Sequence, residues 1–157
     1  MTIQFTSKKV GELLKEGDLR IPSYQRPYKW NRKHIRNLFY DLRDAMGKKE
    51  YQIGSVILHE ILHEKEKYLD IVDGQQRLIS ISLFLHLLDD LENYKGAKQL
   101  LSAAEFGELS CYHASENYNE WENLTQLVGE NQAKDICNFL LENCSVSVIT
   151  MPQKRLS

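Results

Sequence analysis

The sequence predicts an α+β domain, a small mixed β-sheet with packed helices, followed by a helical region. Three observations predict it. Residues 52–73 hold two strand-like runs separated by a short charged turn, the pattern of a hairpin. The second run leads through a tight polar turn into residues 78–91, an apolar stretch long enough to be a buried helix. Beyond residue 96, helix-period segments follow one another until a last strand-like run at 145–151.

Taken in order, Ile3-Gln-Phe5 reads as a short strand and Ser7 as the cap of a helix that runs to Leu14 and stops near Gly17. In Ile21-Pro-Ser-Tyr-Gln-Arg-Pro-Tyr-Lys-Trp30, two prolines hold the chain extended and keep it out of a helix. Asn31 caps an amphipathic helix with Ile35, Leu38, Phe39, Leu42 and Met46 at helical spacing and Gly47 as its stop. Its other side carries Arg32, Lys33, Arg36 and Arg43. Residues 52–62 are rich in β-branched and aliphatic side chains, 65–67 make the turn, and alternating Tyr68, Leu69, Ile71 and Val72 form the return strand. A polar break at 93–96 follows the helix of 78–91. Helices are then expected at 97–105, 116–128 and 131–143, with Trp121, Leu124, Leu127 and Val128 as one apolar stripe. On this reading residues 1–95 form the α+β core, and 96–157 form a helical region ending in a strand, part of the same domain.

The turn between the second strand and its helix carries the first chemical signal. Asp73-Gly74-Gln75-Gln76 has the spacing of a capping box, with Asp73 as N-cap and Gln76 as its reciprocal partner. Gly74 allows a sharp turn or a close approach to a ligand. The first helical turn exposes backbone N–H groups and the positive end of the helix dipole, and Arg77 adds a fork of donors, which suits an anion and above all a phosphate. Two readings fit the turn alone: this anion site, or a plain helix cap with Arg77 paired to a surface carboxylate. A second Gln-Arg pair favours the ligand. Gln25, Arg26 and Lys29 interleave with Tyr24, Tyr28 and Trp30 on the rigid segment, as a ligand with bases to stack and phosphates to pair would need. A connector whose aromatics pack on the core is the alternative.

Bulk properties narrow the class. The 157 residues are enough for one domain with a real core. No apolar run is long enough to span a bilayer and no signal peptide opens the chain, so no membrane partner is expected. Cys111, Cys137 and Cys144 are odd in number and lack metal spacing, which reads as reduced thiols in a cytoplasmic protein. Cys137 and Cys144 fit one helix face at i, i+7, where packing explains them better than chemistry. The net charge of −2 hides an asymmetry: residues 20–49 hold nine basic and two acidic side chains, and 101–157 hold three basic and eight acidic. A basic N-terminal face suits a polyanion, and a merely solvated charged helix accounts equally well for the lysines alone.

Together, Ile21-Pro-x-Tyr-Gln-Arg-x-Tyr-x-Trp30 and Asp73-Gly-Gln-Gln-Arg-Leu78 resemble the GmrSD-type restriction endonuclease N-terminal domain family, whose fold is related to ParB and sulfiredoxin. The likeness runs from about Thr2 to Leu91, and Gly54-Ser55-Val56-Ile57-Leu58 fits the strand between the two motifs. It implies binding and hydrolysis of a nucleoside triphosphate, coupled to defence against modified foreign DNA. On that reading Gly74, Gln75, Gln76 and Arg77 hold phosphates. Gln25 and Arg26 approach the same ligand, and Tyr24, Tyr28 or Trp30 stacks on a base. Asp73 and Arg77 are the catalytic candidates, and Asp73 either caps the helix or helps to place a hydrated Mg²⁺. No residue stands out as the base that orients the attacking water. Members of the family continue into a Phe-x-x-x-Asn-x-Arg-Gly segment, and many add a His-Asn-His nuclease. Neither motif occurs here, so the resemblance implies a truncated domain with its nuclease in another domain or subunit.

The leading expectation is therefore a nucleotide-binding, NTP-hydrolysing sensor of a modification-dependent restriction system. The alternatives are a non-enzymatic ParB-like DNA-binding module and a purely structural interaction domain. His59-Glu60-Ile61-Leu62-His63 matches a zinc-protease motif by letter, but that chemistry needs a helix and these residues are expected in a strand, so no metal-binding residue is assigned.

Overall fold

The computed structural model describes residues 2–22, 28–106 and 111–156. Along it run β1 (Gln4–Lys9), α1 (Val10–Leu14), β2 (Leu19–Arg20), α2 (Arg32–Ala45), β3 (Tyr51–His63) and β4 (Glu66–Asp73). These are followed by α3 (Gln75–Leu87), α4 (Lys95–Phe106), α5 (Cys111–Val128), α6 (Glu130–Glu142) and β5 (Cys144–Leu156). A single turn of 3-10 helix at Leu91–Asn93 joins α3 to α4. The five strands form one mixed sheet in the order β1-β5-β3-β4-β2, so the α+β expectation holds.

Strand pairing follows the alternation of side chains. β3 and β4 are the antiparallel hairpin, with Leu58 opposite Ile71 and both buried. β5 lies between β1 and β3, antiparallel to the first and parallel to the second. Val56 faces Val148 across that parallel ladder, and both enter the core. Ile57, Ile149 and Phe5 make the neighbouring row on the opposite face, where Phe5 stays exposed. Thus β3, from residues 1–95, is the central strand, and the strand from the helical half of the sequence is inserted between it and β1.

Helix α3 fills the centre. It is apolar all round, as a helix enclosed by neighbours must be, with Leu78, Ile79, Ile81, Leu83, Phe84 and Leu85 all buried. Its two buried hydroxyls bond back to the helix, Ser80 Oγ to Gln76 O at 2.7 Å and Ser82 Oγ to Leu78 O at 2.8 Å. Trp121 of α5 stacks on Phe84 at 4.2 Å and donates its indole N–H to Ser80 O at 2.9 Å.

Several local expectations are corrected. Ser7 caps no helix: it sits in β1 opposite Ser147, and the helix starts at Val10. Helix α3 spans Gln75–Leu87 rather than 78–91. Leu127 leaves the apolar stripe of Trp121 and Leu124 and is 68% exposed. Cys137 and Cys144 do not share a helix, because α6 ends at Glu142 and Cys144 opens β5. Both are buried, and burial pushes each thiol up to about 12, with the Asp90 charge adding to the rise at Cys137.

Candidate functional site

Two irregularities in the sheet meet beside the polar turn. Between Gln52 and Ser55, β3 bulges away from β5, and Gly54 in that bulge has φ +139°. Between Ile57 and Leu58 the register against β4 slips by one residue, just before β4 ends at Asp73. Bulges re-aim the chain, and this pair brings Gly54 and Ser55 against the turn. Gly74 follows at φ +95°, and a Cβ there would lie 3.0 Å from Ser55 O and 3.1 Å from Val56 Cγ2. Only glycine suits both the conformation and the space.

From Gly74 the chain enters α3, whose first intrahelical bond runs from Leu78 N to Gly74 O at 3.3 Å. The N–H groups of Gln75, Gln76 and Arg77 precede that bond and so have no acceptor within the helix. The expected capping box does not form. Asp73 Oδ1 instead accepts the N–H of Gly74 at 2.9 Å, and Gly74 itself is the N-cap. The side chain of Gln76 turns towards the aromatic segment, where its Oε1 accepts the N–H of Lys29 at 2.7 Å and of Trp30 at 3.0 Å.

Arg77 is half-buried and fits into the space left by Gly54, where any Cβ would overlap its Nη1. Its guanidinium carbon lies 5.9 Å from the centre of the Trp30 ring. Among the described residues none forms a hydrogen bond or ion pair with it. Burial pushes its pKa below the ordinary arginine value, and the Asp73 charge acts in the opposite sense. Arg77 and Trp30 border a cleft of about 260 Å³ between α2 and β3, with His34, Asn37 and Asp41 on one wall and Tyr51, Gln52 and Ile53 on the other. Trp30 stacks on His34 at 5.1 Å, and His34 is held in turn by the Asn31 cap through Nδ1.

The sequence-predicted residues separate into groups. Trp30, Asp73, Gly74, Gln76 and Arg77 come together around the start of α3. Tyr28 does not offer a stacking face: it is fully buried, and burial raises its pKa while its bonds to Ser80 and Asn117 oppose the rise. Asn117 Nδ2 donates to Tyr28 Oη at 2.7 Å and also to Trp30 O at 2.7 Å. Since the Ser80 proton goes to Gln76 O, the Tyr28 hydroxyl donates to Ser80 Oγ at 2.5 Å. Gln75 is likewise turned inwards, is 5% exposed and donates to Ile71 O at 2.7 Å, so its amide is a strut between helix and strand. Tyr24, Gln25 and Arg26 lie outside the described residues.

Other participants had no signature in the sequence. Gly54 stood out only as part of a strand, and Asn117 lies 89 residues from the Tyr28 that it holds. Arg20 clasps Asp70 with two bonds, Nε to Oδ1 at 2.6 Å and Nη2 to Oδ2 at 3.2 Å, and covers the Tyr68 ring at 4.3 Å. Asp70 is 4% exposed, so this pair fixes β2 to β4 just before the aromatic segment begins.

His59 and His63 lie in β3, and among the described residues no group of three His, Cys, Asp or Glu side chains is placed to hold a metal ion. No helix of the described residues is long and apolar enough to cross a membrane. The family model described as GmrSD restriction endonuclease, N-terminal domain, matches residues 10–154, a span that includes both motifs and nearly all of β5. No curated protein matches the chain.

Proposed function

This chain belongs to the GmrSD restriction endonuclease N-terminal domain family, and from that premise we propose that it is a nucleotide-binding, NTP-hydrolysing sensor domain. Family membership makes it a restriction-endonuclease-related defence protein, with DNA as the substrate of the system. The finer reading is supported chiefly by one observation. A half-buried guanidinium with no hydrogen-bond or ion-pair partner among the described residues stands beside three helix N–H groups that have no intrahelical acceptor, at the edge of a cleft.

In this reading the phosphates lie against the N–H groups of Gln75, Gln76 and Arg77, and the Arg77 guanidinium neutralises charge that builds up during transfer to water. Gly74 keeps the approach open. The free oxygen of Asp73 is available to a water or to a hydrated cation brought in with the phosphates. Asp73 would hold a hydrated Mg²⁺ through the ion's waters, and the ion would supply further neutralisation of the phosphate charge. Trp30 presents an aromatic surface to a base, and Gln25 and Arg26 are proposed to approach the same ligand. DNA is the partner of the full-length protein, and the nuclease is a separate domain or subunit. Such a role belongs in the cytoplasm, where thiols stay reduced.

A second reading has an observation of its own. Arg32, Lys33 and Arg43 are exposed on α2, the helix that forms one wall of the cleft, so a DNA backbone could lie along it without any nucleotide. Titrating the protein with labelled ATP, labelled GTP and a short labelled duplex at low and high salt separates the two. Saturable nucleotide binding, with release of phosphate from the hydrolysed triphosphate, is the expected result. Binding of duplex alone, with steep salt dependence, would replace the sensor reading by the DNA-binding one.

A further inference from the structure

The three short contacts around Gln76 have a direction that a phosphate ligand does not need. Its side-chain oxygen accepts two successive backbone N–H groups, those of Lys29 and Trp30. Its own carbonyl accepts the Ser80 hydroxyl, which receives the proton of Tyr28. Asn117 then ties Tyr28 Oη to Trp30 O from the far side. Apart from the Ser80–Gln76 bond, which lies within α3, each of these bonds joins residues 28–30 to α3 or α5, and none uses a residue of the cleft wall on β3. The segment carries no regular secondary structure of its own at these residues, so its backbone donors depend on such partners.

We propose that Gln76 is a positioning residue, the latch that fixes Trp30 over Arg77, and that it is not a phosphate ligand. The proposal rests on the nucleotide reading only for its effect on binding. The latch itself belongs to the protein without ligand. A backbone N–H pair held by one carboxamide oxygen sets the direction in which the Trp30 side chain leaves the chain. That direction brings the indole to 5.1 Å from His34 and 5.9 Å from the Arg77 guanidinium. Side-chain amides that orient an aromatic platform in this way act on affinity through geometry. For these two bonds what matters at position 76 is an acceptor oxygen at the right reach, and a carboxylate also supplies one.

The test compares wild-type protein with Gln76→Ala, Gln76→Met and Gln76→Glu. Trypsin reports the latch directly, because the Lys29–Trp30 bond lies between the two N–H groups that Gln76 holds, and Lys29 is exposed. Without nucleotide, Ala and Met should raise cleavage at that bond about tenfold, the change expected from losing a pair of ordinary hydrogen bonds. Urea midpoints should fall by no more than that tenfold change implies, so the variants remain folded in the assay. Fluorescent ATP should bind several-fold more weakly to the same two variants. Gln76→Glu should restore both protection and affinity. Wild-type cleavage rates in Ala and Met would overturn the latch. So would a Glu variant that is protected yet loses the nucleotide, since a donor facing phosphate would then be the role of Gln76. If wild-type protein binds no nucleotide, the nucleotide reading fails while the proteolysis still decides the latch. If Ala does not fold, the longer Met and Glu side chains carry the comparison.

Discussion

Gly54 and Arg77 share one volume: a Cβ at position 54 would overlap Nη1 of the guanidinium, so the bulge in β3 and the start of α3 are shaped to each other. No other arrangement of that side chain is needed to explain why a strand that otherwise carries bulky residues breaks at glycine, with φ +139°. Gly54→Ala therefore faces backbone strain, with a lesser cost from displacing the flexible tip of Arg77. We expect a loss of about 1–3 kcal/mol in chemical denaturation together with weaker nucleotide binding. Combining it with Arg77→Ala removes the collision but leaves the strain, so the two stability losses should not add. Full additivity would mean that the guanidinium moves aside freely.

Arg77→Ala alone should leave the fold nearly unchanged, since no described residue hydrogen-bonds to its side chain. It should weaken the nucleotide by roughly 1.5–3 kcal/mol for each charged hydrogen bond lost, about tenfold or more in Kd. Isothermal titration beside a melting curve measures both. A large fall in melting temperature with unchanged affinity would make Arg77 a structural residue.

Removing Arg20 should have the opposite profile. Asp70 keeps only 6% of its side chain exposed, whereas Arg20 exposes 41%. Arg20→Ala leaves a buried carboxylate without its bidentate partner, and we expect a loss towards the low end of about 3–5 kcal/mol. Arg20→Lys keeps the charge but not the fork and should recover only part of it. Urea denaturation of both variants checks the order.

The fold was legible wherever local pattern decides it. Ile35, Leu38, Phe39 and Leu42 are buried as their helical spacing predicts, and the hairpin of β3 and β4 closes where its charged turn stands. Strand order was not legible, because β1 and β3 both pair with a strand whose partners lie far away in sequence. Ser7 resembled a helix cap because hydroxyls suit caps, yet pairing with Ser147 outweighed that preference. At the site, Asp73 and Gln76 carried the letters of a capping box, but the left-handed Gly74 took over the cap and freed Gln76 for the aromatic segment. Tyr28 looked like a ligand platform because its neighbours do. Its buried hydroxyl is bonded by Asn117, which nothing in the local sequence announces.

The buried thiols predict a pH response. Cys137 and Cys144 are pushed from 9.0 up to about 12, so the folded chain holds their protons where an unfolded one releases them. Their contribution to stability is whole below pH 9 and is lost as the pH rises towards 12. In a Cys111→Ser background, an aromatic disulfide reagent at pH 8 should label the native protein far more slowly than the denatured one. Denaturation midpoints should fall above pH 9. Replacing both cysteines by alanine should flatten that fall, and an unaltered slope would assign it to other groups.

The position of β5 also orders events in time. On the ribosome, residues 20–77, which carry both Gln-Arg motifs and Gly54, emerge before β5. They cannot yet adopt their working arrangement, because β3 lacks the neighbour that flanks it for most of its length. Parallel pairing over so long a separation forms late and slowly. A nascent chain that has not reached residue 144 therefore carries both motifs without the strand that completes the sheet beside them, and exposes an unpaired edge of β3 on which it can aggregate.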